Sequence, residues 1–194
     1  MHHPSFAALS ILFLAFFCSD VTAQNLLKNG SFDSFSNGEP VGWTTSNIAG
    51  MLQLVSPSKE SRNGRGGIKL EVKSFYGTKL AGTASQDNIP LTIRQVKLSG
   101  YYTLTSVKGD RAYVSLNLIN ENGSTISMAH LTLEPTTSFR RFTIPLEAES
   151  GANATHAKVG IAIVAGTDDQ LHEGTTAVFD DIKLEAGGAE AGGK

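Results

Sequence analysis

The sequence predicts an all-β protein, a two-sheet antiparallel β-sandwich. Three observations carry that prediction. Seven segments between positions 67 and 184 alternate apolar and polar residues, the period-2 pattern of half-buried strands. Glycine, asparagine, aspartate and serine punctuate them, as turns between strands require. Helical periodicity is nearly absent after position 24.

The chain opens on Phe6 to Phe17, a short apolar run, followed by Val21-Thr22-Ala23. Small residues at −3 and −1 after such a run are the pattern of a secretory signal peptide. The run falls short of the roughly 20 apolar residues that span a bilayer. Residues 1–23 are therefore expected to be removed, and the protein to be secreted, extracellular or periplasmic. Cys18, preceded by two bulky phenylalanines, does not suit a lipid anchor. It is the only cysteine and leaves with the signal, so the remaining chain has no disulfide. It is long enough to bury a core without one.

Each strand follows from its alternation. In Gly67–Lys73, Ile68, Leu70 and Val72 share one face. Val96–Leu104 aligns Val96, Leu98, Tyr102 and Leu104. Ala112–Leu118 aligns Ala112, Val114, Leu116 and Leu118. Asn122-Gly123 is expected to form a tight turn, both residues tolerating positive φ, with Ile126–Leu133 returning. Phe139–Leu146, Lys158–Ala165 and Thr175–Leu184 supply three more strands. One domain is expected over 24–185, with a flexible Gly-rich tail over 186–194.

Two end motifs add a resemblance. Near the start stand Asn25, Leu26, Asn29, Gly30, Phe32, Asp33, Pro40 and Trp43; near the finish stand Asp180, Asp181, Ile182 and Leu184; Phe139-Arg140-Arg141-Phe142 lies between. With these residues the chain resembles carbohydrate-binding modules of the family four, nine and twenty-two type, which are galactose-binding-domain-like jelly rolls. The resemblance implies that the outward face of one sheet binds a polysaccharide or glycan. It also implies a structural calcium between the first and last strands. Asp33 and Asp180 would be its carboxylates, the loop Ser58–Gly66 would give carbonyls, and Glu60 would be an optional third carboxylate. Oxygen-rich coordination of that kind suits calcium.

Alternation selects the sugar-binding candidates. With the apolar set inward, Tyr101, Tyr113, Asn117 and Arg111 face outward, and Tyr76 sits in a Gly-flanked loop that would rim a cleft. Flat aromatic faces stack on sugar rings and planar polar groups bond hydroxyls. Trp43 reads as a packing residue, His130 as a partly buried, hydrogen-bonded histidine, and His156 and His172 as loop residues without a metal partner. Asp110, Glu121, Glu134 and Glu147 read as solvated acids at strand ends.

Several functions are excluded or disfavoured. With 16 basic and 18 acidic residues, no basic patch offers a nucleic-acid surface. No G-x-S-x-G, H-E-x-x-H or phosphate loop is present. Three sequons, at Asn29, Asn122 and Asn153, read as chance. The sequence thus predicts a non-catalytic carbohydrate-binding protein. A structural or adhesion module that binds protein, and a divergent polysaccharide-acting enzyme, remain as alternatives.

Overall fold

The computed structural model describes residues 24–187. The expected signal peptide, and the tail beyond Gly187, lie outside the described residues. The described chain contains thirteen strands and no helix. These are Phe35–Ser36 (β1), Glu39–Pro40 (β2), Thr44–Thr45 (β3), Val55–Ser58 (β4), Gly67–Phe75 (β5), Thr78–Ala81 (β6) and Thr83–Pro90 (β7). Then follow Gln95–Thr105 (β8), Arg111–Ile119 (β9), Thr125–Leu133 (β10), Thr136–Glu147 (β11), His156–Val164 (β12) and Thr176–Ala186 (β13).

Two antiparallel sheets form the body. One has five strands in the order β10-β9-β12-β7-β3; the other has six, β11-β8-β13-β5-β4 with β6 paired to β5. The all-β sandwich expected from the alternation is the observed fold. All seven expected strands are present, and β13 runs one residue into the expected tail.

The core forms where the inward sets of the two sheets meet. Val114, Leu116, Leu118, Val159 and Ile161 of the five-stranded sheet are buried, as are Ile68, Leu70, Leu98, Leu104 and Phe179 of the other. Tyr102 is buried too, and its hydroxyl donates to the Glu134 carbonyl at 3.0 Å, which meets the rule that buried polar atoms be satisfied.

The β9–β10 loop differs from the expected Asn-Gly turn. Only Gly123 has positive φ, at 78°. The Asn120 carboxamide instead closes the loop by accepting from the backbone N–H of Asn122 and Ser124. A two-residue Asn-Gly turn does occur, at Asn37-Gly38 between β1 and β2, with φ of 52° and 83°, as a type I′ hairpin requires.

The opening segment is sewn to the closing strand. Asn25 Oδ1 accepts from the N–H of Leu27 and Leu184, and its Nδ2 donates to the Ile182 carbonyl. The backbone adds Leu26 N–H to Leu184 O and Ile182 N–H to Gly30 O, both at 2.8 Å. Gly30 permits the close approach: a β-carbon there would stand 2.0 Å from the Ile182 carbonyl oxygen. Asn29 is also committed, its carboxamide bonding Ser34 and Val41 backbone, so its sequon is structural. Trp43 is buried, 5.1 Å from the Phe32 ring, and donates to the Lys28 carbonyl at 3.0 Å. It is the packing residue the sequence suggests.

Gly30→Ala is expected to push the two ends apart and destabilise the protein by at least about 2 kcal/mol. Urea unfolding followed by tryptophan fluorescence measures this, because Trp43 packs beside the junction.

Candidate functional site

The outward face of the five-stranded sheet carries three of the expected residues. Arg111, Tyr113 and Asn117 alternate with buried Ala112, Val114, Leu116 and Leu118 on β9. Strand register then sets their neighbours. One row crosses all five strands as His130, Ser115, Gly160, Ser85 and Thr44. Its three central residues are small. A β-carbon on Gly160 would lie 2.9 Å from Ser115 Oγ, so glycine keeps the floor low. On one side Tyr113 pairs with Ala162, and on the other Asn117 pairs with Lys158. Five strands at their usual spacing make this strip about 19 Å across.

Tyr113 and His130 stack, with ring centroids 5.4 Å apart and planes 26° from parallel. His130 is exposed on β10, which corrects the expectation of a partly buried histidine. It faces outward because it pairs with Ser115, an outward position of β9. The period-2 pattern of Ile126–Leu133 held that information, since Leu133 points inward. Arg111 is fixed by Glu134 at 3.2 Å and by the Gly109 carbonyl. Lys158 is paired with Asp87 at 3.3 Å. Glu134 is exposed, as the sequence suggests, but it anchors Arg111.

Tyr101 does not join this face. It lies on β8 of the other sheet, between Arg141 and Asp180 in register. The Arg62 guanidinium sits 5.0 Å above its ring, a cation–π contact. The expectation of one cleft holding Tyr101 and Tyr113 together is therefore corrected: both point outward, but from opposite sheets. Tyr76 is at the β5–β6 hairpin tip, 88% exposed, with φ of 47° and its ring edge-on to Phe75. That hairpin is built on the six-stranded sheet, so Tyr76 does not belong to the Tyr113 strip either.

The expected calcium ligands meet a different chemistry. The loop between β4 and β5 folds over Asp180, which is wholly buried. Asp180 Oδ2 accepts from the backbone N–H of Arg62 at 2.6 Å and Asn63 at 3.2 Å, and Oδ1 from Asp181 N–H at 2.7 Å. Asp33 Oδ1 accepts from Arg65 N–H at 3.0 Å. The loop thus offers these carboxylates N–H groups, whose positive ends repel a cation, where calcium needs oxygen. Glu60 is exposed and does not complete a cluster: no group of three acidic, histidine or cysteine residues suited to a metal occurs among the described residues. This donor set does not fit calcium.

The two aspartates titrate in opposite directions. The Arg65 N–H, then the Ser31 hydroxyl, hold Asp33 below the ordinary carboxylate value. Burial pushes Asp180 up and outweighs its three N–H donors, with the Asp181 charge adding to the rise.

A second cluster was hidden in the sequence. Asp110 is not a solvated acid; it is wholly buried. It accepts from His172 N–H at 2.9 Å and Thr175 Oγ1 at 2.7 Å, and lies 3.1 Å from His172 Nδ1. His172 Nε2 faces Asp168 at 3.3 Å. The group staples the β8–β9 loop to the β12–β13 loop. Nothing local in the sequence marks Asp110, because its partners lie more than sixty residues away.

No protein-family model matches the chain, and no curated protein sequence matches it. Solved structures do. A family 61 carbohydrate-binding module in complex with β-1,4-galactotriose aligns with 85% of this chain and 100% of its own, at 15% identity and a TM-score of 0.57. A family 16 carbohydrate-binding module aligns with 82% of this chain and 99% of its own, at 18% identity and a TM-score of 0.54. A Stig cyclase from Fischerella sp. TAU aligns with 84% of this chain and 97% of its own, at 17% identity and a TM-score of 0.55. The enzymatically active domain of bacteriophage CBA120 tailspike protein 4 aligns at 14% identity and a TM-score of 0.61, but this chain spans only 21% of it. These likenesses show the fold alone, a jelly-roll β-sandwich that carbohydrate-binding modules and a cyclase share.

EDTA is expected to leave the melting temperature unchanged, and added calcium to raise it not at all; a calcium-dependent rise in a thermal scan would show a bound cation. Asp180→Ala is expected to lower stability by at least about 2 kcal/mol, since it orphans three N–H donors. Acid urea titrations test the charge assignments. Asp33 gives stability that is present above its unfolded value and lost as pH falls through the lowered folded value, so Asp33→Asn flattens that acid loss. Asp180 works the other way. Its contribution falls as pH rises from the unfolded value to the raised folded value, and Asp180→Asn removes that fall.

Proposed function

We propose that this is a secreted, non-catalytic protein that holds a polysaccharide or glycan on the outward face of its five-stranded sheet. The observation that carries the reading is the low strip His130–Ser115–Gly160–Ser85–Thr44, flanked by the Tyr113–His130 aromatic pair. A linear sugar chain lying across the strands meets small residues beneath it, an aromatic surface at one end and hydroxyl partners along its length. Tyr113 and His130 offer apolar ring surface to pyranose C–H groups. Asn117 and Arg111 offer planar polar groups. Both flanking cations are already paired, Arg111 with Glu134 and Lys158 with Asp87, so the face suits an uncharged glycan.

Further support comes from the neighbours: one was solved with β-1,4-galactotriose, and another, at a TM-score of 0.51, is a xylan-binding domain. The signal-peptide pattern supports secretion. A catalytic reading draws no support from this face, because its carboxylates, Glu134 and Asp87, are held in ion pairs. One observation favours the protein-binding alternative: Met128 beside Asn117 is 67% exposed.

Retention on polysaccharide affinity gels tests the reading. Tyr113→Ala is expected to lose retention by about tenfold, corresponding to about 1.4 kcal/mol for one stacked ring. Tyr101→Ala, on the opposite sheet, is expected to keep it. Equal losses, or no retention of the unaltered protein by any glycan, would move the assignment to the protein-binding module.

A further inference from the structure

A depression of about 540 Å³ lies between the β1–β2 hairpin and the segment 47–53 that crosses from β3 to β4. That volume is within the roughly 300–1,000 Å³ of small-molecule sites. Its two walls are turns. One is the Asn37-Gly38 turn. The other is a tight turn in which Ile48 and Leu52 pair and Met51 N–H donates to the Ile48 carbonyl. Asn47 holds that segment in place, its carboxamide bonding the backbone of both Leu54 and Val55.

The chemistry of the lining is specific. Glu39 is half-buried, and its carboxylate is set by two neutral donors, Thr45 Oγ1 at 2.6 Å on Oε2 and Asn47 Nδ2 at 2.8 Å on Oε1. Each oxygen keeps a further lone pair. The exposed carboxamides of Asn37 and Gln53 stand at the rim; Gln53 Nε2 lies against the Gly38 turn, 3.2 Å from where a β-carbon would be. Leu52 and Met51 supply apolar surface, and no lysine or arginine lines the depression.

We infer that this depression is a second binding site, for a single uncharged sugar unit. A carboxylate oriented by neutral donors accepts hydrogen bonds from a pair of hydroxyls. Carboxamides both donate and accept, as a polyol demands, and Met51 and Leu52 cover the apolar side of the ring. Lys73, which donates to the Gln53 carbonyl at 2.7 Å, is already paired with Glu71, so an acidic sugar would meet Glu39 with the repulsion unrelieved. The site takes its ligand class from the sheet-face reading but shares none of its residues. The sheet-face strip ends at Thr44, whereas this site begins with Thr45, whose hydroxyl steadies Glu39.

The test is an amide-shift titration of the ¹⁵N-labelled protein with galactose, glucose, N-acetylglucosamine and glucuronic acid. At least one uncharged sugar is expected to move the amides of 37–39 and 47–53, and glucuronic acid is not. Tyr113→Ala is expected to leave those shifts in place while removing any at 113–117. Asn37→Gly/Gln53→Ala, which removes both exposed carboxamides while keeping the positive φ that the turn needs at 37, is expected to weaken them about tenfold, the worth of two lost hydrogen bonds. Still loop amides with every uncharged sugar would overturn the site. So would equal binding of glucuronic acid, unchanged affinity in the double variant, or loss of the loop shifts in Tyr113→Ala. Shifts confined to the loop would uphold this site and overturn the sheet-face reading.

Discussion

The structure depends on the contact between its two ends. A β-sandwich of this kind places the closing strand in the middle of one sheet, and β13 lies between β8 and β5. Leu26 to Gly30 then bonds to Ile182 and Leu184, past Phe179 where the pairing of β13 with β5 ends. Beyond that point the backbone groups on this edge of β13 have no ladder partners in β5. The opening segment supplies those partners: Gly30 O accepts Ile182 N–H, and Asn25 accepts Leu184 N–H. The register shift between Asp180 and Lys183 holds Asp181 at φ of 50°, and beside it the Asp180 carboxylate accepts from the N–H groups of the covering loop. The N-terminal junction and the Asp180 clasp thus meet on one short stretch of β13, Asp180 to Leu184.

The division between what was legible and what was not follows from the range of each interaction. Side-chain parity is local, so strands such as Gly67–Phe75 and Arg111–Ile119 read directly from alternation. Sheet membership is not local. Tyr101 and Tyr113 obey one parity rule, yet β8 pairs with β11 and β13 while β9 pairs with β10 and β12. Strand β7 escaped because Thr83–Pro90 is mostly polar; Gln86 takes an inward position and is satisfied by the Lys28 backbone. The two-residue strands β1 to β3 are too short to carry any period.

Asp110 shows the same limit at a polar site. From sequence it is an acid in a Gly-Asp turn, and solvation is the simplest expectation. Its burial depends on Thr175 and His172 arriving from a distant loop. A buried carboxylate is tolerated only when its oxygens are occupied, and here the His172 N–H and the Thr175 hydroxyl donate to one oxygen while His172 Nδ1 lies 3.1 Å from the other. The cluster ties together two loops at one end of the sandwich and frees the sheet faces from that task.

The residues that carry the resemblance are consumed by the fold. Asn25 and Gly30 form the junction, Asn29 closes its own loop onto Ser34 and Val41, Phe32 and Trp43 pack against each other, and Asp33 and Asp180 hold the covering loop. None of them is free to choose a ligand. On the sheet-face proposal, specificity comes from positions with no motif at all, where register brings small or planar side chains into line. Gly160 is the clearest of these. It has no conformational need to be glycine, since its φ is not positive and it lies mid-strand. Glycine in a strand interior costs stability and marks a place where something approaches the backbone closely. Ser115 stands beside it across one strand pair and Ser85 across the other, so the sheet is lowest where a bound chain would cross it.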